Sequence, residues 1–279
     1  MKALEDCLAE WALQDPFYER VLGRLREKPL AASLRSREEG CAAGIPLAKR
    51  IAQTLGVEGS WKKQNGDWIQ REGEIAFFRG NAEQILKFEN LIIGLIGKSS
   101  GIATAAWRAK KAAEGRIRLI CGGGKKHPFL VKDMAREAVA AGGLESRILE
   151  PPFLYLDKNF VRVFGGIRQT LEAVASHSAP KVIQVKGEFG PIAEEAREAI
   201  RHGARVIMVD TGCCEDLDEV LRVMREEKAS PRVRTAFAGG IKIDDIPLFF
   251  QKGVDILDIG AAILDAPWME LSYDVVADR

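Results

Sequence analysis

From Arg116 onward the chain alternates short β-branched runs with longer amphipathic stretches. The apolar runs RIRLI, FLYL, KVIQV, RVIMV, RVRTAF and DILDI are separated by LVKDMAREAVAAG, IRQTLEAVASHS, PIAEEAREAIRHG, LDEVLRVMREE and IDDIPLFFQKG. The longer stretches space their apolar residues three and four apart, the period of a helix with one buried face. Strand and helix in alternation imply βαβ units and a parallel sheet. Six such units suit an incomplete α/β (TIM-like) barrel better than an open sheet, and no GxGxxG opens the first unit as a dinucleotide fold requires.

The preceding hundred residues have a different pattern. LEDCLAEWALQ and YERVLGRLREK are helical in period, whereas AASLRSREEG and WKKQNGDWIQREGEIAFFRG read as strands turning at Asn65-Gly66 and Glu72-Gly73. The second of these hairpins is similar to the hammerhead turn of biotinyl carriers, but no lysine sits at its tip, so a structural sandwich is expected. From Asn81 the run AEQILKFENLIIGLIGKSSGIATAAWRAKKAAEG continues as a long helix. Within it Leu91, Ile92, Ile93, Leu95 and Ile96 lie close together, more apolar surface than one helix face needs, and this predicts an interface between two copies.

Composition narrows the class. The 279 residues are 47% hydrophobic and 29% charged, an ordinary globular balance. With 41 basic and 40 acidic side chains the net charge is +1, which argues against a nucleic-acid-coating protein. No apolar run approaches a membrane span, and the acidic start MKALEDCLAEWALQ is unlike a signal peptide. The expected location is the cytoplasm, with no membrane or nucleic-acid partner. Cys7, Cys41, Cys121, Cys213 and Cys214 are odd in number and lack paired spacing, so no disulfide framework is expected.

In a barrel the chemistry sits just after the strands. Those positions hold Gly122–Lys126, Asp157-Lys158-Asn159, Lys186, Asp210, Ala238-Gly239-Gly240 and Gly260-Ala261. The small residues of AFAGG and DIGAA suit a phosphate bound by backbone N–H groups. CGGGKKHPF reads either as an anion-gripping loop or as a basic turn in water. Two other strings fail as motifs. IIGLIGKSSG has Ile92 where a Walker loop needs its first glycine, and VIMVDTG lacks the second acid of the common phosphoribosyltransferase loop.

Several strings, in order along nearly the whole chain, resemble the quinolinate phosphoribosyltransferase family. They are SREEGCAAGIPLAKRI, NGDWIQREGEIAFFRGNAEQIL, ENLIIGLIGKSSGIAT, AREAVAAGG, GARVIMVDT, AFAGGI and GVDILDIGA, with SGIAT the most specific. The resemblance implies a type II phosphoribosyltransferase fold. It would comprise an N-terminal α/β sandwich over residues 1–103, a barrel over 104–265, and a tail, 266–279, packing back on the sandwich. It also implies a homodimer or higher homo-oligomer, phosphoribosyl pyrophosphate as substrate, and Mg²⁺.

Carried over position by position, the resemblance makes Lys125 and Asp210 catalytic. Arg147, Lys126, Lys158, Asn159, Lys186 and Asn90 would bind substrate. Gly239, Gly240, Gly260 and Ala261 would bind phosphate, and Asp210 with Asp157 the metal. There are departures. Gly124 and Asn90 stand where the family has arginines, and Gln184 and Lys186 replace an acidic pair. Because arginine forks suit carboxylates best, an aromatic acceptor other than quinolinate is expected. The alternatives are a retired phosphate-ligand binder or scaffold on the same fold, and a barrel enzyme forming a Schiff base through Lys125 or Lys186.

Overall fold

The structure is a computed structural model that describes residues 6–8, 10 and 16–276. The first expected helix, LEDCLAEWALQ, falls largely outside the described residues. In chain order come α1 (Phe17–Leu22), β1 (Pro29–Ser36), β2 (Gly40–Cys41), α2 (Ile45–Leu55), β3 (Glu58–Trp61), β4 (Trp68–Ile69) and β5 (Glu74–Asn81). The long α3 (Ala82–Ala112) leads to β6 (Arg118–Ile120), α4 (Lys132–Ala141), β7 (Leu154–Leu156), α5 (Lys158–Phe164) and α6 (Ile167–Ala173). Then follow β8 (Lys181–Val185), α7 (Ile192–Arg201), β9 (Val206–Val209), α8 (Cys214–Glu226) and β10 (Arg234–Ala238). The chain ends with β11 (Ile256–Asp258), α9 (Ala261–Leu264) and β12 (Leu271–Val276).

These elements form two compact units. The first comprises Met1–Arg108, Gly123–Leu144 and Ile263–Arg279; the second comprises Ala109–Gly122 and Glu145–Ala262. The expected boundary after residue 103 therefore differs from the observed one, and the segment around α4 groups with the first unit. Packing gives the reason. Met134 of α4 rests on the first unit's core, and a Cβ on Gly142 would lie 2.3 Å from the carbonyl oxygen of Ala103.

The first unit is built on an antiparallel sheet in the order β12-β1-β5-β3. Strand β1 pairs with β12 from Ala31↔Val276 to Ser36↔Leu271. Helix α2 turns Ile45, Leu47, Ala48, Ile51 and Ala52 inward, and α3 adds Ile85, Phe88, Ile92 and Ile96 to the same core. Asn81 and Gln84 cap the start of α3 reciprocally, each side-chain oxygen accepting the other's backbone N–H at 2.8 and 2.9 Å.

Helix α3 also disposes of two expectations. The Walker-like string is helical, and its glycines are contact points. The apolar cluster predicted to join two copies is spent inside the unit: Ile92 and Ile96 are fully buried, Leu95 nearly so, and Leu91 and Ile93 pack against the same core. A helix so surrounded needs apolar residues on more than one face.

The SGIAT string has a structural explanation as well. Ser100 Oγ accepts the Ala43 N–H at 3.0 Å, and Thr104 Oγ accepts the Cys41 N–H at 2.9 Å, so α3 hydroxyls satisfy the backbone around β2. On another side, Cβ atoms on Gly94, Gly97 and Gly101 would lie 3.1 Å from Trp268, 3.0 Å from the Met269 carbonyl oxygen and 2.0 Å from the Pro267 carbonyl oxygen.

The second unit holds six parallel strands in the order β6-β11-β10-β9-β8-β7. Among the described residues β6 and β7 do not pair, so the barrel is incomplete, and a single bridge, Ile120↔Glu145, extends the β6 edge. Val182, Val206, Met208, Ala236 and Ile256 fill one face of the sheet. The register places Gln184 beside Met208, so this face continues toward the strand ends as Gln184 and Asp210.

We expect Gly101→Ala to lower stability by about 1–3 kcal/mol, the usual cost of overpacking. Its methyl group meets a backbone carbonyl that cannot swing aside. A thermal midpoint equal to wild type would show that the α3 contact is not tight.

Candidate active site

At the carboxyl ends of the parallel strands the apolar face gives way to polar groups. Asp157, after β7, caps α5: its Oδ1 accepts the Asn159 N–H at 2.9 Å. The adjacent Lys158 N–H donates to Gln184 Oε1 at 2.6 Å. The Gln184 amide donates in turn to Asp210 Oδ2, and Lys186 Nζ donates to the Asp210 carbonyl oxygen. Gln184, absent from the predicted site residues, thus ties Lys158 to Asp210, to which Lys186 bonds directly, while Asp157 and Asn159 join at the cap of α5.

A second unforeseen residue supports this cluster. Glu195 of α7 is 4% exposed, and its carboxylate accepts the N–H groups of Lys186, Gly187 and Phe189 at 2.9, 2.8 and 2.9 Å. A buried carboxylate needs such donors to offset its lost hydration. The loop that carries Lys186 is therefore fixed from beneath.

Asp258, at the end of β11, is a third. Its Oδ1 accepts the Gly122 N–H at 2.7 Å, and a Cβ on Gly122 would lie 2.4 Å from its Oδ2. The first glycine of CGGG thus lets the backbone approach this carboxylate, which would have to shift for any larger residue. Tyr155 of β7 responds to the same surroundings. Burial pushes its phenol well above the usual range, with the Asp258, Asp210 and Asp157 charges adding to the effect. The hydroxyl therefore stays neutral.

The glycine loop after β10 packs on the loop after β9. Gly212 donates its N–H to the Ala238 carbonyl oxygen at 3.1 Å. Gly239 has φ +117°, and a Cβ there would come within 2.5 Å of Gly212 N. Gly240 has φ +73° with open space around it. Both positions need glycine for their backbone conformation. Of the four predicted phosphate-loop residues, Gly239, Gly240 and Ala261 are exposed and Gly260 is half-buried. Arg147 is exposed, and its carbonyl oxygen accepts a bond from Arg118 at 3.4 Å.

The remaining predicted residues belong to the first unit. Lys125 and Lys126 are exposed on a 3₁₀ turn, Gly123–Lys126, and Asn90 is exposed on α3. A Cβ on Gly124 would lie 3.7 Å from Arg136 Nε, so a guanidinium reaches the space beside the glycine.

For Mg²⁺ the available donors are carboxylates, the hard oxygens it prefers. Asp157 and Asp210 each have one oxygen engaged in the bonds above, and among the described residues no three His, Cys, Asp or Glu side chains gather as a metal-binding group. That donor set fits an ion held by one or two carboxylates, with substrate oxygens and water completing its shell.

The gaps in the sequence reading have a common signal. Gln184 and Glu195 are polar residues in buried positions of otherwise apolar patterns, a recognisable anomaly. Asp258 interrupts DILDI in the same way.

Comparison with known proteins agrees with the architecture. Residues 17–100 match the N-terminal domain of quinolinate phosphoribosyl transferase, and residues 102–274 match its C-terminal domain. A probable nicotinate-nucleotide pyrophosphorylase (carboxylating) of Methanothermobacter thermautotrophicus is 29% identical over 252 residues, covering 88% of each chain. The human nicotinate-nucleotide pyrophosphorylase (carboxylating) is 27% identical, over 89% of this chain and 83% of its own. The solved nicotinate-nucleotide pyrophosphorylase of Ehrlichia chaffeensis has the same fold, with a TM-score of 0.85 at 15% identity, covering 99% of this chain and 98% of that one. Matched through both domains and nearly end to end, the chain belongs to the quinolinate phosphoribosyltransferase family and is an enzyme of the phosphoribosyltransferase type.

Proposed function

We propose that the chain transfers the 5-phosphoribosyl group of phosphoribosyl pyrophosphate to a pyridine carboxylate of the quinolinate type. The observation that carries this reading is the strand-end cluster in which Gln184 and Lys186 both donate to Asp210 while the Lys158 N–H donates to Gln184. The acceptor nitrogen would bond to ribose C1 as the C1–O bond breaks and pyrophosphate leaves with the electron pair. Positive charge then grows on the ribose ring. Little covalent chemistry falls to the protein, so placement and charge stabilisation dominate.

In this scheme Asp210 faces the ribose or the ion that accompanies the diphosphate. Lys158, Asn159 and Lys186 donate to anionic oxygens, and Arg147 offers a guanidinium to a carboxylate or the diphosphate. Backbone N–H groups of Gly239, Gly240, Gly260 and Ala261 receive the 5′-phosphate. Mg²⁺, held by Asp210 and Asp157, would screen the charge of the leaving diphosphate. The roles of Lys125, Lys126 and Asn90 rest on the family resemblance alone, as does the expectation of a homodimer or higher homo-oligomer.

The expectation of a different acceptor, drawn from Asn90 and Gly124, finds no support among the relatives, which are named nicotinate-nucleotide pyrophosphorylases. Charge does not demand it either. Arg136 reaches the space beside Gly124, so a missing arginine at that position does not leave the neighbourhood without a guanidinium.

Three outcomes test this reading. With quinolinate, phosphoribosyl pyrophosphate and Mg²⁺, the purified protein should form nicotinate mononucleotide, pyrophosphate and CO₂, the carboxylate beside the ring nitrogen leaving as CO₂ and a proton taking its place. Transfer to other aromatic acids but not to quinolinate would restore the earlier expectation. Gly239 makes a poor probe of the phosphate end, because any side chain there collides with Gly212. Ala261→Leu, at an exposed helical position, should instead weaken ribose 5-phosphate and phosphoribosyl pyrophosphate binding about tenfold or more, as expected when a backbone anion site is crowded. The unliganded thermal midpoint should change little. Undiminished stabilisation by both ligands would place the phosphate elsewhere. Light scattering at micromolar concentration should give a dimer or larger mass; a monomer would remove the oligomer from the proposal.

A further inference from the structure

We infer that Gln184 is the positioning residue of the strand-end site, a single buried amide that sets the carboxylate of Asp210 and the start of α5 together. Gln184 is 5% exposed within the apolar strand KVIQV. A buried amide must find partners for both of its ends. Here the oxygen accepts the Lys158 N–H at 2.6 Å, and the nitrogen donates to Asp210 Oδ2. The loops after β7 and β9 are thereby tied to β8. Lys186, two residues on, donates to the Asp210 carbonyl oxygen from a loop that Glu195 anchors, so the third loop closes the same network.

Both bonds require an amide. A glutamate at this position would keep the acceptor but lose the donor, and it would set a second negative charge against Asp210. A methionine would fill the volume and make neither bond. One oxygen of Asp210 is committed to the amide, which leaves Oδ1 for a ligand. Gln184 itself is not assigned to touch substrate; it acts through Asp210 and through the backbone of Lys158.

This inference rests on the proposed role of Asp210 in phosphoribosyl transfer, and its test separates the two. Gln184→Met and Gln184→Glu are each made alone and combined with Asp210→Asn, and kcat/KM for phosphoribosyl pyrophosphate is measured. Gln184→Met should lose about tenfold or more, and Gln184→Glu should lose more still, as for groups acting on one carboxylate. In the Asp210→Asn background Gln184→Met should cost less than about twofold further, because a residue acting through Asp210 has nothing left to act upon. Losses that multiply in the double variant, or a Gln184→Met enzyme with wild-type kcat/KM, overturn the inference.

Hydrogen exchange at the Lys158 amide needs no substrate and decides the matter even if transfer is not observed. Gln184→Met should speed that exchange about tenfold or more, as loss of a protecting bond does. Gln184→Glu, which retains the acceptor, should leave it near wild type. Unchanged exchange in Gln184→Met would overturn the tie. A wild-type protein that protects Lys158 yet neither binds nor consumes phosphoribosyl pyrophosphate would instead overturn the proposed function.

Discussion

The first unit depends on how closely α3 can approach the chain around it. A helix with Cβ atoms at Gly94, Gly97 and Gly101 could not lie against the Pro267–Met269 backbone, since the Gly101 methyl group alone would sit 2.0 Å from a carbonyl oxygen. The approach also brings Ser100 and Thr104 within reach of the N–H groups of Ala43 and Cys41, in a segment with little sheet pairing of its own. Strand β12 follows directly from that contact and completes the sheet beside β1. Small residues and hydroxyls in a long helix thus determine where the end of the chain goes. Glycine carries a helix-propensity cost of about 1 kcal/mol per position, so its repeated use in α3 marks a contact that other residues cannot make.

The second unit is organised by satisfaction of buried polar groups. Its sheet face is apolar through Val182, Val206, Met208 and Ala236, and any polar side chain that follows must be paired. Gln184 and Glu195 meet that demand by bonding to the backbone of the very loops that carry Lys158 and Lys186. Satisfying the interior and positioning the exposed residues are therefore one set of bonds. Charged groups at strand ends gain precision from it, because each is held by a partner that is itself packed.

Much of the second unit was legible in its sequence. Short apolar runs between amphipathic stretches marked six strands, and all six pair in parallel, since strands buried on both faces have no polar alternation to blur the signal. Helix α4 was misassigned because periodicity reports that a helix has a buried face and says nothing about which core receives it. The same limit misled the reading of Leu91–Ile96, where a surplus of apolar residues meant a helix surrounded by its own unit. Apart from Asn90 and Arg147, carried over from the family resemblance, predicted site residues were found by position after strands, a rule that finds loops. That rule could not find Asp258, at the last residue of its strand, and Gln184, within a strand, came to notice only as a replaced family acid, not as a residue that acts across to a neighbouring loop.

Charge and backbone contribute unequally to the strand-end site, and this bears on how the sequence departs from its family. Recognition through backbone N–H groups requires only that no Cβ intervene, and the two glycines of AFAGG, which follow Ala238, are in any case needed for their positive φ. Recognition through side chains must preserve sign and geometry jointly. Gln184 in place of an acid supplies a donor to Asp210 that a carboxylate could not and removes a like charge beside it, while Lys186 adds a positive one. The local balance shifts toward the cationic side, in the direction that favours an anionic ligand. Asp258 and Asp157 offset part of that shift, and the phenol of Tyr155 near them stays uncharged. A site of this kind discriminates by where donors and acceptors point, because its net charge is small while its hydrogen-bond directions are fixed.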